Sequence, residues 1–219
     1  MPGLLFKAEV LRAQPFGAKH LGLKSNLMLT KILLDNTHHV NLTTFPIPEL
    51  REVGFEELWN LHPPDFHELL MHGRLVKTPR WQQAYGHSYE YTGSRNNALP
   101  VPPTLQPFLV WARANVDERL NGLLLNWYDG KADHYIGKHR DSRKGLVPDT
   151  PIVTISRGEE RVFRLRPWGG QGYKDTLVTD GTALVMPWAT NLAWTHEVPK
   201  MKKYRGRRIS VTLRAFTAS

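Results

Sequence analysis

A chain of 219 residues with 41% hydrophobic and 22% charged residues has the length and composition of a single soluble globular domain, which excludes a disordered or fibrous protein. It contains no cysteine, so a disulfide framework and any thiolate metal site are ruled out, and a bound metal must take histidine and carboxylate ligands. A net charge of +9 favours a polyanionic partner, because lysine and arginine against a phosphate backbone gain from counterion release.

In chain order, Leu4-Leu5-Phe6 before Lys7 is too short for a signal peptide, and no later run approaches membrane-spanning length. An intracellular protein is expected, cytoplasmic or nuclear and away from membranes. Residues 1–50 carry no assignable chemistry; residues 40–45 read as a strand and His38-His39 as a surface loop. Residues 55–59 predict a short helix ended near Pro63-Pro64. Asp65 then suits the N-cap of a second helix bearing Phe66, Leu69 and Leu70, with Gly73 as its stop. Residues 79–93 read as two short strands around a glycine turn, and residues 98–103 as a proline-stiffened connector. Phe108, Leu109, Ala112, Val116 and Leu120 recur at helical spacing and predict one amphipathic helix that buttresses the core. Beyond it the pattern is strand after strand: 123–127, 152–156, 162–165, 177–178, 183–186, 193–198 and 209–216. Glycine, proline and aspartate separate them, as in an antiparallel sandwich.

The chemistry centres on His139-Arg140-Asp141. In an extended strand residues i and i+2 share a face, so an imidazole and a carboxylate converge on one ion, a set that suits Fe(II), Mn(II) or Zn(II). About one His-x-acid pair is expected by chance in a chain of this composition, so its weight depends on a further ligand nearer the C-terminus. A second histidine stands at His196, within the strand-like Trp194-Thr195-His196-Glu197-Val198. Two histidines and one carboxylate make a facial triad with open coordination positions, the setting of non-haem Fe(II) oxygenases. In Arg208-Ile209-Ser210-Val211-Thr212-Leu213-Arg214, alternation puts three aliphatic residues on one face and both arginines on the other. Two arginines lining an interior are costly without anions, and a dicarboxylate cosubstrate would supply them.

Asn126-x-Tyr128, His139-x-Asp141, His196 and Arg208-x5-Arg214 together resemble the AlkB family of 2-oxoglutarate- and Fe(II)-dependent dioxygenases. Softer pieces agree, among them Asp133-His134-x-Ile136-Gly137, Pro151-Ile152-x3-Ser156 and Arg161-x-Phe163, and the resemblance spans about residues 70 to 216. It implies a mainly β (α+β) fold: a double-stranded β-helix, or jelly roll, with buttressing helices and an N-terminal nucleotide-recognition lid. Residues 1–104 would form the extension and lid and residues 105–219 the jelly-roll core, as one folded unit and a monomer.

By the same resemblance His139, Asp141 and His196 would hold Fe(II), leaving positions for 2-oxoglutarate and O2. Arg208 would take the distal carboxylate of 2-oxoglutarate in a charge-assisted fork, with Tyr128 adding a hydrogen bond. Asn126 and Arg214 would serve the end nearer the metal, Arg214 also steadying Asp141. Ser210 stands where family members often carry asparagine. In the lid, Tyr89, Tyr91 and Thr92 would line the pocket for a flipped base, with Arg80 on the same substrate side. Met71 and His72 would sit where duplex-acting members place a wedge. The family's repair enzymes tend to have acidic residues after the His-x-Asp pair, to meet the amine of 1-methyladenine or 3-methylcytosine; this chain has Ser142-Arg143. Lys202, Lys203 and Arg205, from a run with six basic residues between 200 and 208, would contact phosphates.

The expected reaction is oxidative N-demethylation of alkylated bases in methylated DNA or RNA, as in DNA repair or RNA demethylation. 2-Oxoglutarate would leave as succinate and CO2, and the methyl group as formaldehyde. Two rival readings stand beside it. One keeps iron and 2-oxoglutarate but acts on a protein side chain or a small molecule, as Ser142-Arg143 would suit. The other is a non-catalytic nucleic-acid-binding barrel, which succinate production with any substrate would dismiss.

Overall fold

The strands over 122–129 and 207–214 each carry one apolar face that must leave water, and their pairing sets the architecture. The computed structural model describes residues 9–10, 29–44, 53–71, 73–91 and 94–218. His72, Thr92, Phe45, the Leu4-Leu5-Phe6 run and the side chains of Met71 and Tyr91 lie outside the described residues.

The first half contains β1 (Glu9–Val10), β2 (Thr30–Leu33), β3 (His39–Thr44), α1 (Phe55–Trp59), β4 (Glu68–Met71), β5 (Arg74–Lys77), β6 (Trp81–Tyr85), β7 (Tyr89–Tyr91), β8 (Ser94–Asn96) and β9 (Ala98–Leu99). A 3₁₀ turn (Pro103–Leu105) leads into α2 (Gln106–Asn115). There follow β10 (Gly122–Asp129), β11 (Ile136–His139), β12 (Ile152–Gly158), β13 (Arg161–Pro167), β14 (Lys174–Val178), β15 (Thr182–Met186), α3 (Trp188–Ala193), β16 (Trp194–Val198) and β17 (Arg207–Arg214).

The larger sheet runs β1-β2-β3-β15-β12-β17-β10-β6-β9 and the smaller β11-β16-β13-β14. The eight strands from β10 to β17 divide four and four between them, the arrangement of a double-stranded β-helix. Tyr128, Ile152, Leu184 and Met186 of the larger sheet share a buried cluster with Phe163, Leu165, Val178, Trp194 and Val198 of the smaller, so the sheets close on each other. On the outer face Leu123, Leu125, Trp127, Ile209, Val211 and Leu213 pack with Phe108, Trp111 and Ala112 of α2, the helix predicted to buttress the core. Leu58 of α1 joins the same cluster and its carbonyl accepts the Trp127 indole N–H at 2.9 Å. Strands from both halves of the chain are neighbours, since β3 pairs with β15 and β6 with β10. Among the described residues no helix is long and apolar enough to cross a membrane.

One expected element has the other secondary structure. The helix anticipated from Asp65 to Gly73 is a β-hairpin in which Met71 pairs with Arg74, closing a two-residue loop. Gly73 lies in the left-handed region at φ +76°, so it makes a tight turn where a helix stop was expected. Leu75 and Val76 then supply a partner strand for Leu69 and Leu70, and that pairing overrides a helical spacing that rested on three residues. Leu70, Leu75 and Val76 are exposed, so this hairpin stands off the core. The two strands flanking Gly86 also do not pair with each other: β6 joins the larger sheet and β7 pairs with β8.

Leu125→Ala should lower unfolding free energy by about 2–5 kcal/mol in urea titration, because the site is enclosed by both α2 and the sheet. Leu75→Ser on the exposed hairpin should stay within about 0.5 kcal/mol of wild type.

Candidate active site

Pairing of β11 with β16 sets His139 opposite His196, with ring centroids 4.3 Å apart. Asp141 lies two residues after His139, and its Oδ1 stands 3.8 Å from His139 Nε2 and 3.9 Å from His196 Nε2. One ligand atom from each of the three lies within 4.8 Å of the others, so residues separated by more than fifty positions meet as expected. His139 Nδ1 lies 2.8 Å from the Gly137 carbonyl; a carbonyl only accepts, so Nδ1 carries the proton and Nε2 keeps its lone pair for a metal. Phe163 stacks on the His196 ring at 5.4 Å and fixes its plane.

Asp141 is held from behind. Arg214 donates from Nε at 2.9 Å and from Nη2 at 2.7 Å to Asp141 Oδ2, leaving Oδ1 toward the histidines. Asn191, at the end of α3, grips the peptide of the same residue: its Oδ1 accepts the Asp141 N–H at 3.0 Å and its Nδ2 donates to the Asp141 carbonyl at 3.2 Å. Tyr89 donates its hydroxyl to Asp141 Oδ1 at 3.3 Å and accepts the Ser142 N–H at 3.2 Å, while the Arg214 guanidinium lies 4.5 Å from its ring centroid.

Burial pushes the Asp141 carboxyl up, but Arg214 and the two histidines outweigh it and bring the pKa down to about 2. Burial and the neighbouring His139 lower His196 to about 3, and burial lowers His139 as well. The triad at neutral pH is therefore one carboxylate and two neutral imidazoles, the protonation state that a divalent cation requires.

On the same inner face β17 carries Arg208 opposite Tyr128 and Ser210 opposite Asn126. Arg208 is 0% exposed; its Nη2 donates to Ser156 Oγ at 2.9 Å, and among the described residues Nε and Nη1 have no partner. Desolvation pulls its pKa down from the usual guanidinium value. The Tyr128 ring centroid lies 5.1 Å from its guanidinium carbon. A buried cation with two N–H edges unmet fits a ligand carboxylate, and the residues present therefore fit both Fe(II) and a 2-oxo diacid. Of the two inner arginines Arg214 is matched by the chain's own aspartate, which leaves Arg208 for the anion.

Tyr89, expected on the substrate side, is 4% exposed and is turned inward under the metal ligands, so it has no open ring face for a base. Arg80 is also turned inward, donating to Asn126 Oδ1 at 2.7 Å and to Gln82 Oε1 at 3.0 Å. Tyr91, Thr92, Met71 and His72 fall at positions whose side chains are outside the described residues. Ser142 is half-buried and its Oγ accepts the Lys144 N–H at 3.2 Å, whereas Arg143 is exposed. Lys202, Lys203 and Arg205 are exposed on the loop before β17. Asn191 was not foreseen, since nothing local in Trp188-Ala189-Thr190-Asn191 marks a contact with residue 141, fifty positions away.

The sequence profile described as the 2OG-Fe(II) oxygenase superfamily matches residues 57–214. The chain belongs to that superfamily, and its likeness within it is to AlkB-type proteins. It is 29% identical over 153 residues to the DNA oxidative demethylase ALKBH2 of Homo sapiens, a match covering 65% of this chain and 58% of that protein. With the alpha-ketoglutarate-dependent dioxygenase alkB homolog 3 of Rattus norvegicus it shares 32% identity over 149 residues, 62% of this chain and 50% of that one. The chain thus spans less than two thirds of the length of these curated relatives. The solved structure of OsALKBH1 superposes with a TM-score of 0.55 at 12% identity, covering 84% of this chain and 99% of that one, which shows a common fold.

Because Arg208 is buried without a counter-ion among the described residues, Arg208→Met should leave the melting temperature of the metal-free protein unchanged or higher. Wild type with Mn(II) should gain about 2.7 kcal/mol from 2-oxoglutarate at a hundred times its Kd, and the variant none, as read by thermal denaturation.

In the unfolded chain His196 takes up a proton near its ordinary 6.5 and Asp141 near 3.8, well above their folded values of about 3 and about 2. Metal-free stability should therefore be full above pH 6.5 and decline as the pH falls toward 3. Urea titrations across that range should show a shallower decline for His196→Asn.

Proposed function

We propose that the protein removes N-methyl groups from alkylated nucleic-acid bases in a reaction dependent on Fe(II), 2-oxoglutarate and O2. The observation that carries this reading is the unmatched, fully buried Arg208 in the same interior as a neutral-imidazole, ionised-carboxylate triad. Bound there, iron, 2-oxoglutarate and O2 would supply an oxidant that turns an N-methyl group into N-hydroxymethyl, with succinate and CO2 as co-products. The hydroxymethyl group then leaves as formaldehyde: the C–N electron pair returns to the ring nitrogen and the hydroxyl proton is released.

The chain's part is binding, positioning and exclusion of water. Arg208 and Tyr128 take the far carboxylate of the diacid, and Ser156 fixes the guanidinium plane. Arg214, Asn191 and Tyr89 hold Asp141 so that a single oxygen faces the metal. The side chains of Asp141 and His196 are 2% and 10% exposed against 33% for His139, so the substrate approaches from the His139 side. Arg143 is exposed, which leaves its charge free for a phosphate rather than for a cationic base. Lys202, Lys203 and Arg205 extend the basic surface. The lack of an acidic residue at 142 or 143 favours, as a second reading, a neutral substrate such as a protein side chain or small molecule.

A panel of N-methylated single- and double-stranded DNA and RNA oligonucleotides should yield formaldehyde and succinate in equal amounts, with His139→Ala lower by on the order of 100-fold or more. Succinate without formaldehyde from every oligonucleotide would move the assignment to the second reading. Replacing Lys202, Lys203 and Arg205 together by alanine should reduce the slope of log affinity against log salt by about 2 to 3 for duplex DNA.

A further inference from the structure

Trp168 and Tyr173, in the turn between β13 and β14, are 61% and 55% exposed, against the tendency of large rings to be buried. Each ring rests on an arginine that is itself held in place. The Arg140 guanidinium carbon lies 3.8 Å from the Trp168 ring centroid while its Nη1 donates to the Leu192 carbonyl at 2.8 Å. Arg164 lies 3.9 Å from the Tyr173 centroid and forks onto Asp175 at 2.6 and 2.7 Å. The base of the turn is tied down by the Trp168 N–H, which donates to the Ala193 carbonyl at 2.8 Å. A groove of about 680 Å³ opens beside it, lined by Lys138, Arg166, Trp168, Gln171 and Thr195 among others.

Charge and position select the occupant. Arg164 and Arg166 are neutralised by Asp175 and Glu197, but among the described residues Lys138 and Arg140 form no ion pair with a carboxylate. Arg140 stands between His139 and Asp141 in the chain, so the platform begins at the rim of the metal site. An acidic peptide would meet the two cations and leave the ring face unused. A planar base joined to a phosphate uses both, since a base stacks on an indole whatever its identity and its phosphate needs a cation nearby.

Resting on the reading of nucleic acid as substrate, we infer that Trp168, braced by Arg140, is a stacking platform for an unpaired base flanking the reacting one, with Lys138 against the strand's phosphate. A base offered to this platform must be free of its partner, so the site favours single strands, or duplexes opened beside the lesion.

The test uses the full chain with Mn(II) and 2-oxoglutarate and an unmethylated, dye-labelled thymidine oligonucleotide of about 15 nucleotides, single-stranded or annealed to its complement, in fluorescence anisotropy. Trp168→Ala should weaken single-strand binding by roughly 5- to 100-fold, with a smaller effect on the duplex, and Trp168→Phe should restore most of it. Turnover of a methylated mononucleotide under Fe(II), which has no flanking base to offer the platform, should stay at the wild-type rate and report an intact fold. Wild-type-like single-strand binding by Trp168→Ala would overturn the platform and leave the proposed reaction standing. Equal loss for both strand forms without rescue by phenylalanine would overturn it as well. If the wild-type protein neither bound the oligonucleotides nor released formaldehyde from methylated ones, the nucleic-acid reading itself would fail and the platform with it.

Discussion

Strand β17 has to satisfy two opposed demands on its two faces. Ile209, Val211 and Leu213 are fully buried against α2 and leave water at a gain, while Arg208, Ser210, Thr212 and Arg214 are carried into the interior by the same backbone at a cost. Pairing on both sides, with β10 and β12, prevents the strand from rotating or slipping to relieve that cost, because a one-residue shift would exchange the faces. The burial of three aliphatic residues thus holds the two guanidinium groups where chemistry can use them. One is matched within the chain by Asp141 and the other has no carboxylate partner among the described residues, and on that difference rest the separate roles proposed for them.

The same economy governs the triad. Arg214 stabilises the Asp141 carboxylate and disfavours protonation of His196, so one residue helps to set the charge of two ligands. Tyr89 and Asn191 add hydrogen bonds without adding charge. The cluster consequently carries the charge state that suits a divalent cation, one carboxylate with two neutral imidazoles.

Much of this was legible in the residues themselves. Strict alternation identified β17 and its inner arginines, and the His-x-Asp spacing identified two ligands, because both patterns repeat with the two-residue period of a strand. The third ligand required long-range information, which came from the order of the motifs and the resemblance they carry. What escaped was set by contacts distant in sequence. Asn191 reaches Asp141 from fifty positions away, and Tyr89 looked like a substrate-facing aromatic because its sequence neighbourhood does not reveal that β7 passes beneath the metal ligands. At the hairpin over 68–77, Phe66, Leu69 and Leu70 satisfy a helical period as well as the strand pairing that prevails.

Among the described residues the strand that delivers His139 is at the edge of its sheet, pairing with β16 alone, and it has a register shift between Ile136 and His139. His196, by contrast, sits in β16 with a neighbour on either side. The two histidines are therefore unequally braced: the backbone of His196 is clasped from both sides, and that of His139 from one.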